Sequence, residues 1–225
     1  MNFEIKPGIN LFHCDCMDLM RETPDKFYDL CICDPPYGIG EDGRKTEGRC
    51  VPSAKWKNPK PKPYKHGNWD NYPPDLEYFN ELIRVSKNQI IWGANYFISR
   101  IPFDSSCWVI WDKLNGGSDQ ADCEIAWTSF KTAIRKFEYL WSGFKMQNYE
   151  NKIHPTQKPV QLYKWLLKNY AKEGDRILDT HLGSGSSAIA AYDGGFDFVG
   201  CEIDADYYTA ALKRFNIHKQ QLVLL

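Results

Sequence analysis

A short stretch near the C-terminus constrains the fold of this 225-residue chain more than any other feature. An apolar segment over residues 176–179 ends in an acidic side chain, and a glycine-rich turn then leads into a helical pattern that reaches Tyr192. The turn is Gly183-Ser184-Gly185. Glycine permits a sharp turn close to a ligand, and the start of a helix presents unpaired N–H groups. The stretch therefore predicts a strand–turn–helix unit with a ligand site at the end of its strand.

Strand and helix patterns alternate along most of the chain. Strands are predicted at Ile9–Cys14, Tyr28–Cys33, Gln89–Trp92, Cys107–Trp111, Cys123–Trp127, Thr132–Leu140, Arg176–Asp179 and Phe196–Cys201. Helices are predicted at Asp15–Thr23, Pro74–Ser86, Pro159–Tyr170 and Ala205–His218, with a short helix around Asn95–Ser99 and a polar loop at Ser142–Ile153. This alternation predicts an α/β fold with a mainly parallel, twisted sheet and helices on both faces. The length favours one domain over residues 1–225.

Two carboxylates are expected at the ligand-binding edge of that sheet. Asp179 ends one predicted strand, and Glu202 lies at the tip of the next. Ligands of open α/β sheets bind at the carboxyl ends of the strands, where a carboxylate on the second strand commonly accepts hydrogen bonds from ribose hydroxyls. A nucleoside-containing cofactor is therefore predicted. A dehydrogenase and a purely structural unit both stay open, although Ala188 stands where the dinucleotide fingerprint has its third glycine.

A more specific pattern follows the predicted strand at residues 28–33. It reads Asp34-Pro35-Pro36-Tyr37. Two consecutive prolines cannot continue a central strand, so the chain must turn there and leave the Asp34 carboxylate at the strand tip. A purely structural interpretation of Asp34 is a turn capped by a carboxylate.

The chain resembles the amino-group DNA methyltransferases that use S-adenosylmethionine, in the subgroup whose catalytic motif precedes the cofactor motif. The resemblance covers most of the chain and is carried, in order, by Asp34–Tyr37, by His154-Pro-Thr-Gln-Lys-Pro159, by Asp179–Ser187, and by Gly200-Cys-Glu202 with Tyr207. The chain departs from the family at Thr180-His181, where most members have Pro-Phe.

The resemblance implies a single Rossmann-like methyltransferase domain that transfers a methyl group from S-adenosylmethionine to the exocyclic amino group of adenine in DNA. Adenine is favoured over cytosine because cytosine-N4 members of the subgroup more often carry Ser in place of Asp34. The implied catalytic residues are Asp34, Pro35, Pro36 and Tyr37. The implied cofactor-binding residues are Asp15, near the cofactor adenine, and His154, Thr156, Gln157, Lys158, Asp179, His181, Gly183, Ser184, Gly185 and Glu202.

The residues of the catalytic motif suit this chemistry. An exocyclic amino nitrogen is a poor nucleophile because its lone pair is delocalised into the base. If the Asp34 carboxylate and the Pro35 carbonyl each accept one N–H, the nitrogen moves toward tetrahedral geometry, and the carboxylate stabilises the positive charge that develops on it. The base must be flipped out of the duplex at a cost of a few kcal/mol, which stacking on Tyr37 would partly offset.

The formal net charge of −1 conceals two basic segments. Residues 44–65 carry a net charge of +7 and residues 131–170 carry +6. Trp56 and Tyr64 lie between lysines in the first segment and His66 directly follows it, which suits phosphate contacts with occasional stacking. We expect a mobile basic loop at residues 40–72, with a solvated loop as the alternative, and a short target-recognition region at residues 131–153.

Other features narrow the class of protein. The eight cysteines form no zinc-like pair, and His154 has no second ligand at a useful spacing, so no metal site is predicted. No membrane span or secretion signal is expected, which favours a cytoplasmic protein with DNA as its partner and a possible homodimer or restriction partner.

Two kinds of alternative function remain. The first is methylation of cytosine N4 or of RNA, and the second is a catalytically silent nucleic-acid-binding relative, which His181 favours. Glu124 is either part of a packed strand or a polar group near the catalytic face.

Overall fold

The structure is a computed structural model that describes residues 3–42, 64, 67–116, 121–142 and 145–222. The strands in these ranges are β1 (Ile9–His13), β2 (Tyr28–Cys33), β3 (Ser86–Trp92), β4 (Trp108–Asp112), β5 (Cys123–Thr128), β6 (Arg135–Glu138), β7 (Trp141–Ser142), β8 (Lys145–Met146), β9 (Arg176–Asp179) and β10 (Asp197–Glu202). Eight of them form one sheet in the order β1-β10-β9-β2-β3-β5-β4-β6.

The α-helices of the described residues are α1 (Cys16–Glu22), α2 (Leu76–Val85), α3 (Val160–Tyr170), α4 (Ser186–Asp193) and α5 (Ala205–Leu222). Two short 3-10 helices, Ala94–Tyr96 and Ile98–Arg100, follow β3. The side chains of Asp15 and Asp75 accept hydrogen bonds from the first turns of α1 and α2. Such N-caps fix where a helix begins, because they satisfy backbone N–H groups that have no partner inside the helix.

The order of the strands creates a crevice between β2 and β9. The chain continues from β2 to β3 on one side and from β9 to β10 on the other, and these four strands are parallel. The point where the winding direction reverses leaves the carboxyl ends of two neighbouring strands uncovered, and ligands of open α/β sheets bind there. The strand β5 is antiparallel to both β3 and β4, so Glu124 near its start also lies at this edge.

Two hydrophobic cores lie on opposite faces of the sheet. Alternate residues of β2 point to different cores: Leu30 and Ile32 pack with α3, α4 and α5, whereas Cys31 and Cys33 pack with α1 and α2. Because each central strand contributes side chains to both cores, both faces of these strands are apolar. Trp111 and Trp127 are buried in these cores.

The predicted α/β class, with a mainly parallel sheet covered on both faces, is confirmed. The polar loop predicted at residues 142–153 is wrong at its start, because β7 and β8 form a small antiparallel pair there. Most of the predicted basic loop, residues 43–63 with 65 and 66, lies outside the described residues. In the part of the chain that the structure describes, no helix is both long enough and apolar enough to cross a membrane.

Candidate active site

The Asp34 carboxylate lies directly after β2, at the crevice. Its Oδ1 accepts a hydrogen bond from the Tyr37 hydroxyl at 2.5 Å, and its Oδ2 lies 2.6 Å from the Lys158 Nζ. Burial raises the pKa of Asp34 above its ordinary value, and the positive charge of Lys158 opposes that shift. Asp34 is therefore a largely buried carboxylate with a fixed orientation, held by groups from two distant parts of the chain.

A chain of alternating charges continues from Asp34 into the sheet. The Lys158 ammonium, only 4% exposed, also lies 2.8 Å from the Glu124 Oε2, and the Glu124 Oε1 lies 2.5 Å from the Lys113 Nζ. Burial alone would raise the pKa of Glu124, but Lys158 and Lys113 hold it well below its usual value. Burial likewise opposes the charge of Lys158, yet the two carboxylates raise its pKa. Four buried or half-buried charges thus balance one another.

Only part of this charge chain could be predicted from the sequence. Lys158 was predicted to bind the cofactor, and its backbone carbonyl does accept a hydrogen bond from the Ser186 hydroxyl at the start of α4, at 2.8 Å. Its ammonium, however, points to Asp34. Glu124 lies at the catalytic face, the second of its two interpretations, and Lys113 was missed. One sequence signal could have located Glu124 in the site. It is an acidic residue in an otherwise apolar strand, and the start of that strand, β5, lies at the carboxyl ends of the parallel strands.

The Tyr37 ring occupies a space that a glycine leaves free. It stacks on the half-exposed Tyr96, with ring centroids 5.0 Å apart and planes at 16°. A Cβ on Gly93 would lie 2.0 Å from the nearest atom of the Tyr37 ring. The backbone φ of Gly93 is +70°, a conformation that side chains disfavour. Gly93 therefore sets the place of Tyr37 and, through the Tyr37 hydroxyl, that of Asp34.

Gly93→Ala should displace the Tyr37 ring and slow any reaction that depends on Asp34 by about 10- to 100-fold, since misplacement by about 1 Å has effects of this order. Gly174→Ala is the matched control, because Gly174 also has a positive φ, +82°, but no atom lies within 4 Å of its Cβ position. Rates measured at equal folded protein should separate the two variants. Equal rates would contradict the role of the ring contact.

The glycine turn before α4 faces the tip of β10. The Glu202 Oε2 accepts a hydrogen bond from the Gly183 N–H at 2.9 Å, and its Oε1 accepts one from the Asp204 N–H, also at 2.9 Å. Gly183 and Gly185 both have positive φ, +51° and +73°. Glu202 is partly exposed, as a carboxylate that receives a ligand must be.

The predicted residues of the His154 segment line the same region. The His154 ring packs edge-on against Tyr207 at 4.3 Å and approaches within 3.9 Å of the position that a Cβ on Gly183 would take. Burial lowers the pKa of His154 to about 3, so the ring is neutral. The Thr156 hydroxyl lies 3.1 Å from the His154 Nδ1. Gln157 instead supports the segment, because its Oε1 accepts the Ile153 N–H at 2.9 Å.

His181 takes the place of an aromatic side chain without adding charge. Burial lowers its pKa to about 4, and its ring packs edge-on against Tyr78 at 5.4 Å. Its Nδ1 lies 3.0 Å from the Thr180 hydroxyl, and its backbone N–H donates to the Asp179 Oδ1 at 3.0 Å. The negative charge of the exposed Asp15 opposes this shift, because it raises the pKa of His181. The departure from the family pattern thus preserves a neutral ring in the pocket.

Asp179 is buried, with the Ser187 hydroxyl 2.5 Å from its Oδ2. Burial raises its pKa to about 7, although Ser187 and the His181 N–H favour the charged form. A raised folded-state pKa adds stability below the unfolded pKa, about 4, and this contribution is lost as the pH rises through about 7.

Asp179→Asn mimics the protonated acid, so it should raise the melting temperature at pH 8 relative to wild type, with the difference shrinking toward pH 5. Thermal unfolding followed by circular dichroism at both pH values, without cofactor, measures this. A variant that is less stable than wild type at pH 8 would contradict the raised pKa. Asp175→Asn serves as the control: this half-buried carboxylate lies directly before β9 and also accepts a backbone N–H, that of Lys172 at 2.8 Å.

The pocket fits a nucleoside-containing cofactor. The partly exposed carboxylate of Glu202, the exposed Asp15 and the turn at Gly183 all lie at the carboxyl ends of β1, β9 and β10, where the Gly183 N–H donates to Glu202 and the Cys14 N–H donates to the Glu202 carbonyl. Neutral rings close its sides. Among the described residues no group of three or more His, Cys, Asp or Glu side chains could hold a metal ion.

A crevice where the winding of a parallel sheet reverses, with a glycine turn after one of its strands, is the arrangement of a Rossmann-like fold. The sequence profile of the DNA methylase family matches residues 56–213. The chain therefore belongs to the DNA methylase family, whose methyl donor is S-adenosylmethionine.

Individual relatives agree with this assignment. The chain is 24% identical to the Type II methyltransferase M2.DpnII of Streptococcus pneumoniae, covering 93% of this chain and 90% of the relative. The structure is similar to that of M1.HpyAVI in complex with S-adenosylmethionine, with a TM-score of 0.58 and 20% identity over 92% of this chain and 99% of that one. It is also similar to the cytosine-N4-specific PvuII DNA methyltransferase, with a TM-score of 0.60 and 14% identity over 95% of this chain and 90% of that one.

Proposed function

We propose that this protein methylates the N6 amino group of adenine in DNA at a specific site, as the modification enzyme of a Type II restriction–modification system. The observation that supports the adenine assignment most is the buried pairing of Asp34 with Lys158. A serine, more frequent in cytosine-N4 members of the resembled subgroup, would leave the Lys158 ammonium without one of its two carboxylates. The site is therefore built around a charged acceptor.

The catalytic turn would act on the amino group through two acceptors. The Asp34 carboxylate accepts one N–H and the Pro35 carbonyl accepts the other, which turns the nitrogen lone pair away from the base plane. As the nitrogen becomes positive, the fixed negative charge of Asp34 stabilises the transition state more than the ground state. Pro35 and Pro36 restrict the backbone of this acceptor pair. Tyr37 would stack on the target base, and the stacked ring of Tyr96 would support the Tyr37 ring.

On the other side of the crevice, the glycine turn and its neighbours would bind the cofactor. S-adenosylmethionine, when bound, supplies an electrophilic methyl group on a sulfonium. The Glu202 carboxylate would accept hydrogen bonds from ribose hydroxyls, and Asp15 would lie near the adenine. His154 and His181, both neutral, and Thr156 would line the pocket without repelling the positive sulfonium. Ser184 and Gly185 would shape the turn, while Asp179, Gln157 and Lys158 would support the pocket from behind.

The second basic segment is less uniform than its charge suggests. Lys158 is buried in the site, Lys164 pairs with Asp193 at 2.6 Å, and Arg135 begins β6 at the opposite edge of the sheet. Lys145 lies in β8, which pairs with β7 just after the carboxyl end of β6, and the Lys152 Nζ lies 4.7 Å from the ring of Trp141 in β7. We propose that DNA phosphates contact this part of residues 131–153 and the loop of residues 40–72. We also propose that the reaction takes place in the cytoplasm and that the partner of the protein, besides DNA, is a restriction enzyme or a second copy of this chain.

The experiment is modification-sensitive sequencing of DNA from cells that express the protein, compared with cells that express Asp34→Ala. We expect N6-methyladenine at one short sequence motif in the first sample and none above background in the second. N4-methylcytosine in a defined motif would instead favour the cytosine assignment, which the similarity to PvuII DNA methyltransferase keeps as the second candidate. Absence of any modified motif from both samples would contradict the proposed function.

A further inference from the structure

Asp70 organises the backbone of the catalytic turn. Its carboxylate is 2% exposed, and its Oδ1 accepts hydrogen bonds from the N–H groups of Tyr37 and Gly38, each at 2.8 Å. Its Oδ2 accepts one from the Glu41 N–H at 2.7 Å. The Asp70 carbonyl also accepts the Gly40 N–H at 3.0 Å. The backbone after Pro36 is therefore wrapped around one buried residue, which satisfies N–H groups that would otherwise lack partners.

The neighbouring Trp69 reaches the other half of the site. Its ring lies 5.2 Å from the His154 ring, which borders Gly183 and packs on Tyr207. Two consecutive residues thus contact the two sides of the crevice: Asp70 contacts the turn that follows Asp34, and Trp69 contacts the wall beside the glycine turn.

The segment that carries these residues is itself held in place. The Arg100 guanidinium donates to the Pro73 carbonyl at 3.0 Å and to the Pro74 carbonyl as well. A Cβ on Gly38 would lie 2.5 Å from the Pro73 Cδ, so the catalytic turn and this segment are in close contact. Asp70 therefore presents its carboxylate from a fixed support.

We propose that Asp70 is a positioning residue for the methyl-transfer step and that Trp69 ties this support to the cofactor side of the crevice. The inference rests on the proposed function, because it takes the Asp34 turn to hold the target amino group. Asp70 does not touch the reacting atoms; it acts through the backbone of Tyr37, Gly38 and Glu41. It also gives a role to the C-terminal end of the predicted basic loop, which the sequence assigned only to DNA contacts.

Asp70→Asn keeps the size of the side chain but places an amide N–H against one backbone N–H, so part of the turn loses its acceptor. We expect amide hydrogen exchange in residues 37–41 to become at least about 10-fold faster. The single-turnover rate with saturating DNA and S-adenosylmethionine should fall by about 10- to 100-fold, while the Kd for S-adenosylmethionine stays within about threefold of wild type. Such a loss in kcat without a loss in binding is not expected from general destabilisation.

Asp75→Asn is the matched control. Asp75 lies five residues further on and also accepts a backbone N–H, that of Tyr78 at 3.2 Å, but it caps α2 and does not contact the catalytic turn. Its transfer rate and the exchange of residues 37–41 should stay near wild type. The proposal is overturned if Asp70→Asn transfers methyl groups within about threefold of wild type, or if Asp75→Asn is slowed equally.

If Asp70→Asn does not fold, Trp69→Leu carries the test: it leaves the carboxylate in place, and the proposal then requires both a raised Kd for S-adenosylmethionine and a slower transfer, whereas wild-type values for both would overturn it. If wild-type protein methylates no DNA, the proposed function fails. The exchange measurement on residues 37–41 then still decides whether Asp70 holds the turn.

Discussion

Asp34→Ala should lower the rate of methyl transfer to DNA by about 10³-fold, the order expected when a preorganised group that stabilises developing charge is removed from an active site. The alanine cannot accept an N–H of the amino group or oppose positive charge on its nitrogen. The Lys158 ammonium keeps Glu124 as a partner, so the fold should survive. The rate is measured in a single turnover with labelled S-adenosylmethionine and saturating DNA.

Asp104→Ala provides the control, because Asp104 is exposed and far along the chain from the catalytic turn. Its rate should equal that of wild type. The Kd of Asp34→Ala for S-adenosylmethionine should change by less than about threefold, since the Asp34 carboxylate contacts Tyr37 and Lys158 rather than the glycine turn. An Asp34→Ala protein that keeps more than about a tenth of the wild-type rate would contradict a catalytic role for this carboxylate.

Lys158→Met should destabilise the protein by about 3–5 kcal/mol at pH 8, because it leaves two largely buried carboxylates next to each other without their shared cation. The pKa values of Asp34 and Glu124 should both rise. Groups with raised folded-state pKa values stabilise the fold at low pH and lose this contribution as the pH rises, so the deficit in the free energy of unfolding should shrink toward pH 5. Activity should fall as well, because loss of the Lys158 charge raises the pKa of Asp34 further and so favours its protonated form, a poorer acceptor for an amino N–H. Urea unfolding at pH 5 and pH 8 measures the deficit.

Lys164→Met is the matched control for this variant. Lys164 lies six residues further on, and its ion pair with Asp193 is partly exposed, so its removal should cost less than about 1 kcal/mol at either pH. Adding Glu124→Gln to Lys158→Met removes the negative charge that faces Asp34, although Glu124 keeps Lys113 as a partner, and should recover part of the stability. A deficit that does not depend on pH, or that the second substitution deepens, would contradict the account of the charge chain.

The elements that could be predicted most accurately are those bounded by strong local signals. The predicted strands Tyr28–Cys33 and Arg176–Asp179 match β2 and β9 at both ends. The prolines after β2 stop the strand, and the glycine turn follows soon after β9. The pair β7 and β8 was not predictable, because each strand has only two residues and no alternation can be seen over that length.

The site was predictable only where its residues follow strand ends. Asp34 and Glu202 lie where the sequence places them. Lys158 meets Asp34 across 124 positions, and Asp70 meets Tyr37 across 33, so no local pattern reveals either contact. The basic segment of residues 131–170 illustrates the same limit, since the fold distributes its charges between the buried site, the β7–β8 pair and the opposite edge of the sheet.

The most direct test of the central claim, that the turn at Asp34 methylates adenine amino groups in DNA, is the identity of the labelled nucleoside. Purified protein is incubated with methyl-labelled S-adenosylmethionine and unmethylated duplex DNA of mixed sequence, and the digested DNA is analysed by mass spectrometry. The account predicts that wild-type protein places the label in N6-methyl-2′-deoxyadenosine and that Asp34→Ala places none there. Label in N4-methyl-2′-deoxycytidine or on a ring carbon of cytosine, or no label from a protein that binds S-adenosylmethionine, would contradict it.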